Sequence, residues 1–385
     1  MAGNDAGTRT LPQSVLRAAT DRAVFDEILA RGRATRAELA AATGISKPTI
    51  SEAVRRLVDG GLLDATGPQE TGRRGRIGTF YEPGRSAGWV LAIEVDQSGV
   101  QARSAGFAGQ ALHQHERPPG AAGDTGAVIE ALRSTVREAV KAVPKRHGPL
   151  RAVAVSIANP VDPTTHEVIG LPGSPFPEGL LGPAEVLADL VRAPVLVDND
   201  VNLAALAEHR SGGAAGAASF AYVYVGAGLG LGLYLGDQLI RGAHGLAGEI
   251  GYLPGAGPET LAAELAISLG KADGQGKSGA PANDVSAALA LLDRSGDRTD
   301  KAGRQALATL CGAIVRAISS VNAIVDPELV LLGGPVGTHP ALLPAVRGRL
   351  TGSPTRLAYG TLGRHAPLHG ALQLALEHAR SAALG

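Results

Sequence analysis

Residues 35–61 read Thr35-Arg36-Ala37-Glu38-Leu39-Ala40-Ala41-Ala42-Thr43-Gly44-Ile45-Ser46-Lys47-Pro48-Thr49-Ile50-Ser51-Glu52-Ala53-Val54-Arg55-Arg56-Leu57-Val58-Asp59-Gly60-Gly61. Thr35 and Glu38 have the spacing of a capping box. The Thr35 hydroxyl can accept from the Glu38 amide, and the Glu38 carboxylate can reach back to the Thr35 amide. That opens a short helix over 36–42, which Gly44 ends. Ser46 caps the next helix, 46–59, and Pro48 is tolerated in its first turn because those amides have no intrahelical partner. Ile50, Val54, Leu57 and Val58 form one apolar stripe, and Gly60-Gly61 close the helix.

Upstream, Ala23, Val24, Ile28 and Leu29 keep helical spacing up to Gly32, so three helices are expected. Residues 1–14 are polar and read as a frayed, disordered N-terminus. Downstream, Leu62-Leu63-Asp64 and residues 71–81 read as two short strands joined by a Gly/Arg loop, with a boundary at Pro83-Gly84. Three helices followed by a hairpin make a winged helix-turn-helix over 15–84. Helix 36–42 would brace helix 46–59, whose N-terminal end would enter a major groove. The side chains expected to face double-stranded DNA there are Ser46, Lys47, Thr49, Ser51, Glu52 and Arg55, a mix of phosphate ligands and base readers. Arg73, Arg74 and Arg76 at the hairpin tip would enter a minor groove or hold phosphates. The competing reading is a helical protein-interaction module with a solvated arginine loop.

The chain has 385 residues, 44% hydrophobic and 19% charged, which allows two or three domains and excludes wholesale disorder. Lys+Arg and Asp+Glu both number 36, so the formal net charge is zero. The neutral sum hides an asymmetry. Residues 1–88 hold 13 Lys+Arg against 10 Asp+Glu, and the remainder holds 23 against 26. The head is mildly basic and the body mildly acidic. A single cysteine, Cys311, excludes an intramolecular disulfide framework and a cysteine-clustered zinc site; its apolar, helix-like surroundings suit a buried, inert thiol. There is no uninterrupted apolar run of transmembrane length and no secretory leader pattern. The expectation is a cytoplasmic protein with no membrane partner.

From Trp89 the pattern becomes strands alternating with helices, the signature of an α/β fold. Expected strands are 90–95, 152–157, 195–197, 220–225, 231–235 and 329–332. Expected helices are 126–142, 183–190, 201–210, 261–268, 284–292, 304–325 and 370–383. Residues 271–284 read as a mobile loop.

Three segments carry a resemblance: Asp198-Asn199-Asp200-Val201-Asn202, the run from Gly242 through Gly248-Glu249-Ile250-Gly251-Tyr252, and Leu331-Leu332-Gly333-Gly334-Pro335. With the head in front, the chain resembles a transcriptional regulator of the ROK family (repressors, open reading frames, kinases), similar to the N-acetylglucosamine and xylose operon repressors. The resemblance implies a winged helix-turn-helix followed by a two-lobed, actin-like (ribonuclease-H-like, sugar-kinase-like) body for ligand binding and dimerisation over 89–385. It implies a homodimer or a dimer of dimers. In family kinases the Asn-Asp pair matched by Asn199 and Asp200 holds sugar hydroxyls, and the Asp is the general base. A carboxylate accepts from a hydroxyl and an amide both donates and accepts, so the residue types suit that task. Asp200 could instead simply cap the helix that follows. Glu249 matches the family's sugar-holding Glu. Gly226-Ala227-Gly228-Leu229-Gly230-Leu231-Gly232 resembles the family's second phosphate loop, though glycine is also the ordinary device for a sharp turn.

Departures from the kinases set the functional expectation. The family's Asp-x-Gly-Gly-Thr is Glu94-Val95-Asp96-Gln97-Ser98 here. A carboxylate about 4 Å from a phosphate charge costs about 4 kcal/mol at an effective dielectric near 20, and side chains fill the room that phosphates need. Tyr252 stands where a zinc- and sugar-binding His is usual, and 254–261 has no cysteine, so no metal and no cofactor is expected. Ala158-Asn159 replaces a Pro-Gly, and 171–176 departs from the loop that supplies a sugar-binding Asn. The expected effector pocket is therefore Asn159, Asn199, Asp200, Glu249 and Tyr252, taking a sugar or related metabolite, with Asp200 a vestigial base. The expectation is a regulator, a repressor of carbohydrate-related genes, and not an enzyme. The alternatives are an active ATP-dependent sugar kinase with a DNA-binding head, and a ligand-independent regulator controlled by a protein partner.

Overall fold

The computed structural model describes residues 13–68, 78–96, 99–117, 125–171, 181–255, 261 and 285–385. In the head, α1 (Gln13–Arg31), β1 (Ala34–Thr35), α2 (Arg36–Thr43) and α3 (Lys47–Asp59) precede β2 (Leu63–Pro68) and β3 (Thr79–Pro83). The capping box forms: the Glu38 amide donates to the Thr35 hydroxyl at 3.3 Å, and the Thr35 amide donates to the Glu38 carboxylate at 2.7 Å. Gly44 ends α2 in the left-handed region at φ 70°, where a Cβ would be strained. The two-residue strand β1 is too short to show a period-2 pattern, and it pairs antiparallel with Tyr81 and Phe80 of β3. The wing sheet is thus three-stranded, in the order β1-β3-β2. The frayed N-terminus expected up to residue 14 lies outside the described residues as far as residue 12, and Gln13 and Ser14 already belong to α1.

The body contains one topology twice. The first sheet orders β4 (Trp89–Asp96), β5 (Gly99–Gly106), β6 (Ala111–Arg117), β7 (Leu150–Ile157) and β8 (Val195–Asn199) as β6-β5-β4-β7-β8. The second orders β9 (Ser219–Val225), β10 (Leu229–Leu235), β11 (Gln238–Ile240), β12 (Leu329–Gly333) and β13 (Arg356–Tyr359) as β11-β10-β9-β12-β13. In each, an antiparallel meander is followed by two parallel strands.

Helices form three layers around these sheets. On the outer face of the first sheet lie α4 (Thr125–Ala142) and α5 (Pro183–Leu187), over Leu91, Ile93 and Val95. Outside the second lie α7 (Val285–Asp293), α8 (Lys301–Ile324) and α10 (Leu342–Arg349), over Val223, Val330 and Leu332. The short α9 (Gly334–Gly337) follows β12 directly. Between the sheets run α6 (Asp200–Ser211) and α11 (Ala366–Leu384), which join Val90, Ala92, Phe220 and Leu331 in one core. Alternation along β4 divides Val90 and Ala92 from Leu91 and Ile93, as two buried faces require.

Helix α8 is long and apolar enough to cross a membrane by length and composition. It packs Leu310, Ile314 and Ile318 into the outer core of the second lobe, as a core helix does. Cys311 is fully buried on the same face, as its sequence context indicated. Of the expected helix 261–268 only Leu261 is described, and the expected loop 271–284 lies outside the described residues.

Candidate functional site

The exposed face of α3 carries Lys47, Thr49, Glu52 and Arg55, with Ser51 half-buried at its margin. Ser46 caps the helix by accepting from the Thr49 amide, and its hydroxyl also meets the Thr49 hydroxyl at 2.8 Å. Part of the expected contact set is therefore committed to the cap. Charge pairing sorts the cations. Arg22 is bonded to Asp26, Arg31 to Glu27, and Arg56 to Asp21 at 2.5 Å. Among the described residues, Lys47 and Arg55 have no carboxylate partner. Arg33 and Arg36 lie against the rings of Phe80 and Tyr81, at 4.5 and 5.2 Å. Arg73, Arg74 and Arg76 lie outside the described residues.

The second candidate site lies where β4, β7 and β8 end, under the N-terminus of α6. Strand register sets its floor: Glu94 stands beside Ser156, and Ser156 beside Asp198. These three share the inner face with Ala92 and Ala154. Asn199, not Asp200, is the helix cap. Its side-chain oxygen accepts from the Val201 and Asn202 amides at 3.0 and 3.1 Å. Its amide nitrogen donates to the Ala158 and Asn159 carbonyls. Asn199 thus ties α6 to the end of β7, and Asn159 is buried beneath it. Asp200 is the first residue of α6 and receives the Val201 amide at 2.7 Å.

Glu249 arrives on the loop between β11 and the one-turn helix Ile250–Tyr252. Backbone geometry demands glycine here: Gly248 has φ 96°, and a Cβ would overlap the Leu231 carbonyl oxygen. The loop is anchored by Arg241, whose Nε and Nη2 both donate to the nearly buried Asp198 carboxylate, at 2.9 and 2.5 Å. Sequence reading passed over this clamp, although Asp198 opens one quoted motif and Arg241 immediately precedes another. Tyr252 is 46% exposed and sits at the rim rather than inside.

The electrostatics are those of crowded carboxyls. Burial, then the charges of Asp96 and Asp200, hold the Glu94 carboxyl well above its ordinary range, with Arg364 opposing. Burial pushes Asp200 up to about 7 against the pull of the Val201 amide, and Glu249 and Asp96 add to it. Burial alone pushes Glu249 up to about 7. From the facing lobe, Tyr224 is sensitive to the charges of Asp200, Asp96 and Glu94, and burial raises its phenol. The glycine turns do not open onto free space. A Cβ on Gly226 would overlap the Tyr224 ring, one on Gly333 the Tyr222 hydroxyl, and one on Gly334 would lie 2.8 Å from Tyr224. Gln97, Ser98 and residues 172–176 lie outside the described residues.

Two links run from this site toward the head. Helix α11 crosses α6 so closely that a Cβ on Gly370 would overlap the Leu203 carbonyl oxygen. At its other end, Arg22 of α1 donates to the Ser381 hydroxyl at 3.3 Å, and Arg380 donates to the Phe107 carbonyl. Phe107 itself packs edge-on against Phe25 of α1, with centroids 5.4 Å apart.

Comparison with known proteins agrees with this architecture. A solved ROK-family transcriptional regulator, described as a homologue of the E. coli MLC protein, superposes with a TM-score of 0.71 at 18% identity, covering 97% of this chain and 98% of that one. The bifunctional enzyme NanE/NanK of Brucella melitensis is 34% identical over 164 residues, 41% of this chain and 30% of that enzyme. A Caldicellulosiruptor protein described as a xylose repressor is 24% identical over 230 residues, 60% of this chain and 57% of that protein. The chain thus spans less than two thirds of the length of these curated relatives. The MarR family model matches residues 20–75, from within α1 through α3 and β2. The ROK family model matches residues 91–378, nearly the whole two-lobed body, and the chain belongs to the ROK family.

Proposed function

We propose that the chain is a DNA-binding transcription regulator, a repressor acting in the cytoplasm where its operator lies, and that its cleft senses a sugar or related metabolite without phosphorylating it. The observation that carries this reading is the continuous core. One apolar cluster holds Phe25 and Ile28 of the head, Phe107 immediately after β5, Leu368 and Ala375 of α11, and Leu203 of α6, whose first residue is Asp200. A ligand at the cleft can therefore bias the position of the head, provided it binds the two arrangements with different affinity. The head would use Lys47 and Arg55, with Arg73, Arg74 and Arg76 on the wing, against phosphates and base edges. Placing two heads on one operator calls for a dimer.

The proposed loss of phosphoryl transfer rests on charge and space. Asp96 and Gln97 stand where the kinases have the glycines whose amides approach phosphates, and Tyr222 and Tyr224 lie against Gly226, Gly333 and Gly334. The retained Asp200 and the likeness to NanE/NanK favour a second reading, a sugar kinase with a DNA-binding head. Genome-wide capture of DNA bound by the protein tests the first reading: enrichment at a small set of promoters is expected, and uniform recovery would refute it. An ATP-dependent phosphorylation assay over common hexoses separates the two. Turnover that disappears in Asp200→Asn would establish the kinase.

A further inference from the structure

The floor of the cleft leaves polar atoms unused. Glu94 is 6% exposed, and among the described residues its Oε2 has no hydrogen-bond partner. Beside it in register, the fully buried Ser156 hydroxyl likewise finds no partner among the described residues. An unpartnered buried carboxylate oxygen is costly, and its persistence points to a missing group. Around it stand Asp96, two residues along the same strand, then Asp200 and Glu249, each close enough to raise a neighbour's proton affinity. Against these four carboxyls, the charge of Arg364 opposes at Glu94, while Arg241 is paired with Asp198.

A neutral polyol would fill such a site without relieving the repulsion. A positive group would relieve it, since an opposite charge within about 4–6 Å favours ionised carboxylates. Among the described residues no three His, Cys, Asp or Glu side chains converge to hold a metal ion. The carboxyls are spread over several elements, as a larger cation bearing its own framework requires.

We propose that the ligand of this cleft is a polyhydroxylated small molecule carrying a protonated amine, with Glu94 and Asp96 facing the ammonium group and Asp200 and Glu249 accepting hydroxyls. The inference rests on the reading of the cleft as the effector site. It also gives Glu94, a position not among the expected ligand residues, the role of selecting charge. Ammonium N–H groups donate to Glu94 Oε2 and can place the Ser156 hydroxyl as a further acceptor.

The test is calorimetric titration of the full-length protein near pH 7. The probes are three matched hexose series of gluco, galacto and manno configuration, each as the 2-amine, the parent sugar and the N-acetyl derivative. At least one amine is expected to bind about tenfold or more tightly than both its neutral counterparts. Proton release on binding is expected too, read from the dependence of the heat on buffer ionisation, because the ammonium displaces protons from the carboxyls. Glu94→Gln, which keeps shape and hydrogen-bonding capacity, should reduce the amine preference to near unity, and Asp96→Asn should weaken it. A thermal melt checks that both variants fold. If parent or acetylated sugars bind as well as every amine, the amine inference falls and the effector reading stands. If no probe of any series binds, both fall. If selectivity survives in folded Glu94→Gln and Asp96→Asn, these residues do not face the amine.

Discussion

Substituting Asp200 by Asn should stabilise the protein, and only above mildly acidic pH. Asp200 has its carboxyl moved from 3.8 to about 7, chiefly by burial. The folded state therefore holds a proton that the unfolded state has released, throughout the window between those values. The contribution of Asp200 to stability is most favourable below about pH 4 and falls as pH rises toward and through 7. Each unit is about 1.4 kcal/mol, so the full difference approaches about 4 kcal/mol above pH 7. Asp200 keeps part of its surface in water, and screening reduces the expected gain to about 2 kcal/mol. Asn preserves the acceptor for the Val201 amide, so the start of α6 is not sacrificed. At about 2–4 °C per kcal/mol for a domain near this size, differential scanning calorimetry should show the variant melting about 4–8 °C higher at pH 8 and unchanged at pH 4. Glu249, also pushed up to about 7, should leave a residual fall of stability with pH in the variant. A melting temperature no higher than the parent at pH 8, or an equal gain at both pH values, would refute the account of a strained, desolvated carboxyl.

Other outcomes follow from the same geometry. Lys47→Ala with Arg55→Ala should weaken binding to duplex DNA and reduce the slope of log affinity against log salt by about 0.9 per lost phosphate contact; an unchanged slope would remove α3 from the phosphate interface. The same titration on Arg73→Ala with Arg74→Ala reports on the wing. Arg241→Ala leaves the nearly buried Asp198 without its cation and should cost about 2–3 kcal/mol in chemical denaturation, with Arg241→Lys losing less; equal stability of all three would show that the clamp is not holding the Glu249 loop. Gly370→Ala forces α11 away from the Leu203 carbonyl and should cost about 3 kcal/mol, and a neutral result would mean that the two central helices can slide apart freely.

Much of this molecule is legible from residue patterns, for local reasons. Caps and left-handed glycines act within a few residues, so Thr35–Glu38, Gly44 and Ser46 place α2 and α3 before any tertiary contact exists. Strands buried on both faces, such as β4 and β12, read as apolar runs. Strands carrying polar residues do not: Gly99–Gly106 includes Gln101, Arg103 and Ser104, and Ala111–Arg117 is mostly polar, because an edge strand needs no apolar face. β13 is four residues long and finds its place only against β12. The site divides the same way. Asn199, Asp200 and Glu249 lie in recognisable runs, but the role of Asn199 as the cap appears only when its oxygen is seen accepting two amides. The Glu208 staple is entirely tertiary. That fully buried carboxylate accepts from the Gly213 amide at 2.6 Å and the Leu362 amide at 2.9 Å, more than 150 positions away in the second case. The Asp198–Arg241 clamp spans 43 positions and has no local signature.

The junction between head and body bears on how a ligand could act at the operator. Moving a two-state equilibrium from 1:99 to 99:1 requires about 5.5 kcal/mol of differential affinity. A small ligand can supply that only if the two head arrangements differ by little in their own packing. The contact seen here suits that requirement. It consists of the edge-on Phe25–Phe107 pair, the Arg22–Ser381 bond at 3.3 Å and the apolar residues around them, far less than the sheet-to-helix packing within either lobe. An aromatic pair contributes about 0.5–1.5 kcal/mol beyond its buried area, a size that ligand binding can overcome. Phe25→Leu, which keeps this fully buried position apolar while removing the ring pair, should therefore loosen the coupling more than the fold. Effector should still bind the cleft with near-parental affinity in calorimetry, while its effect on DNA affinity shrinks toward none. Retained coupling in that variant would show that the head is moved through some other contact.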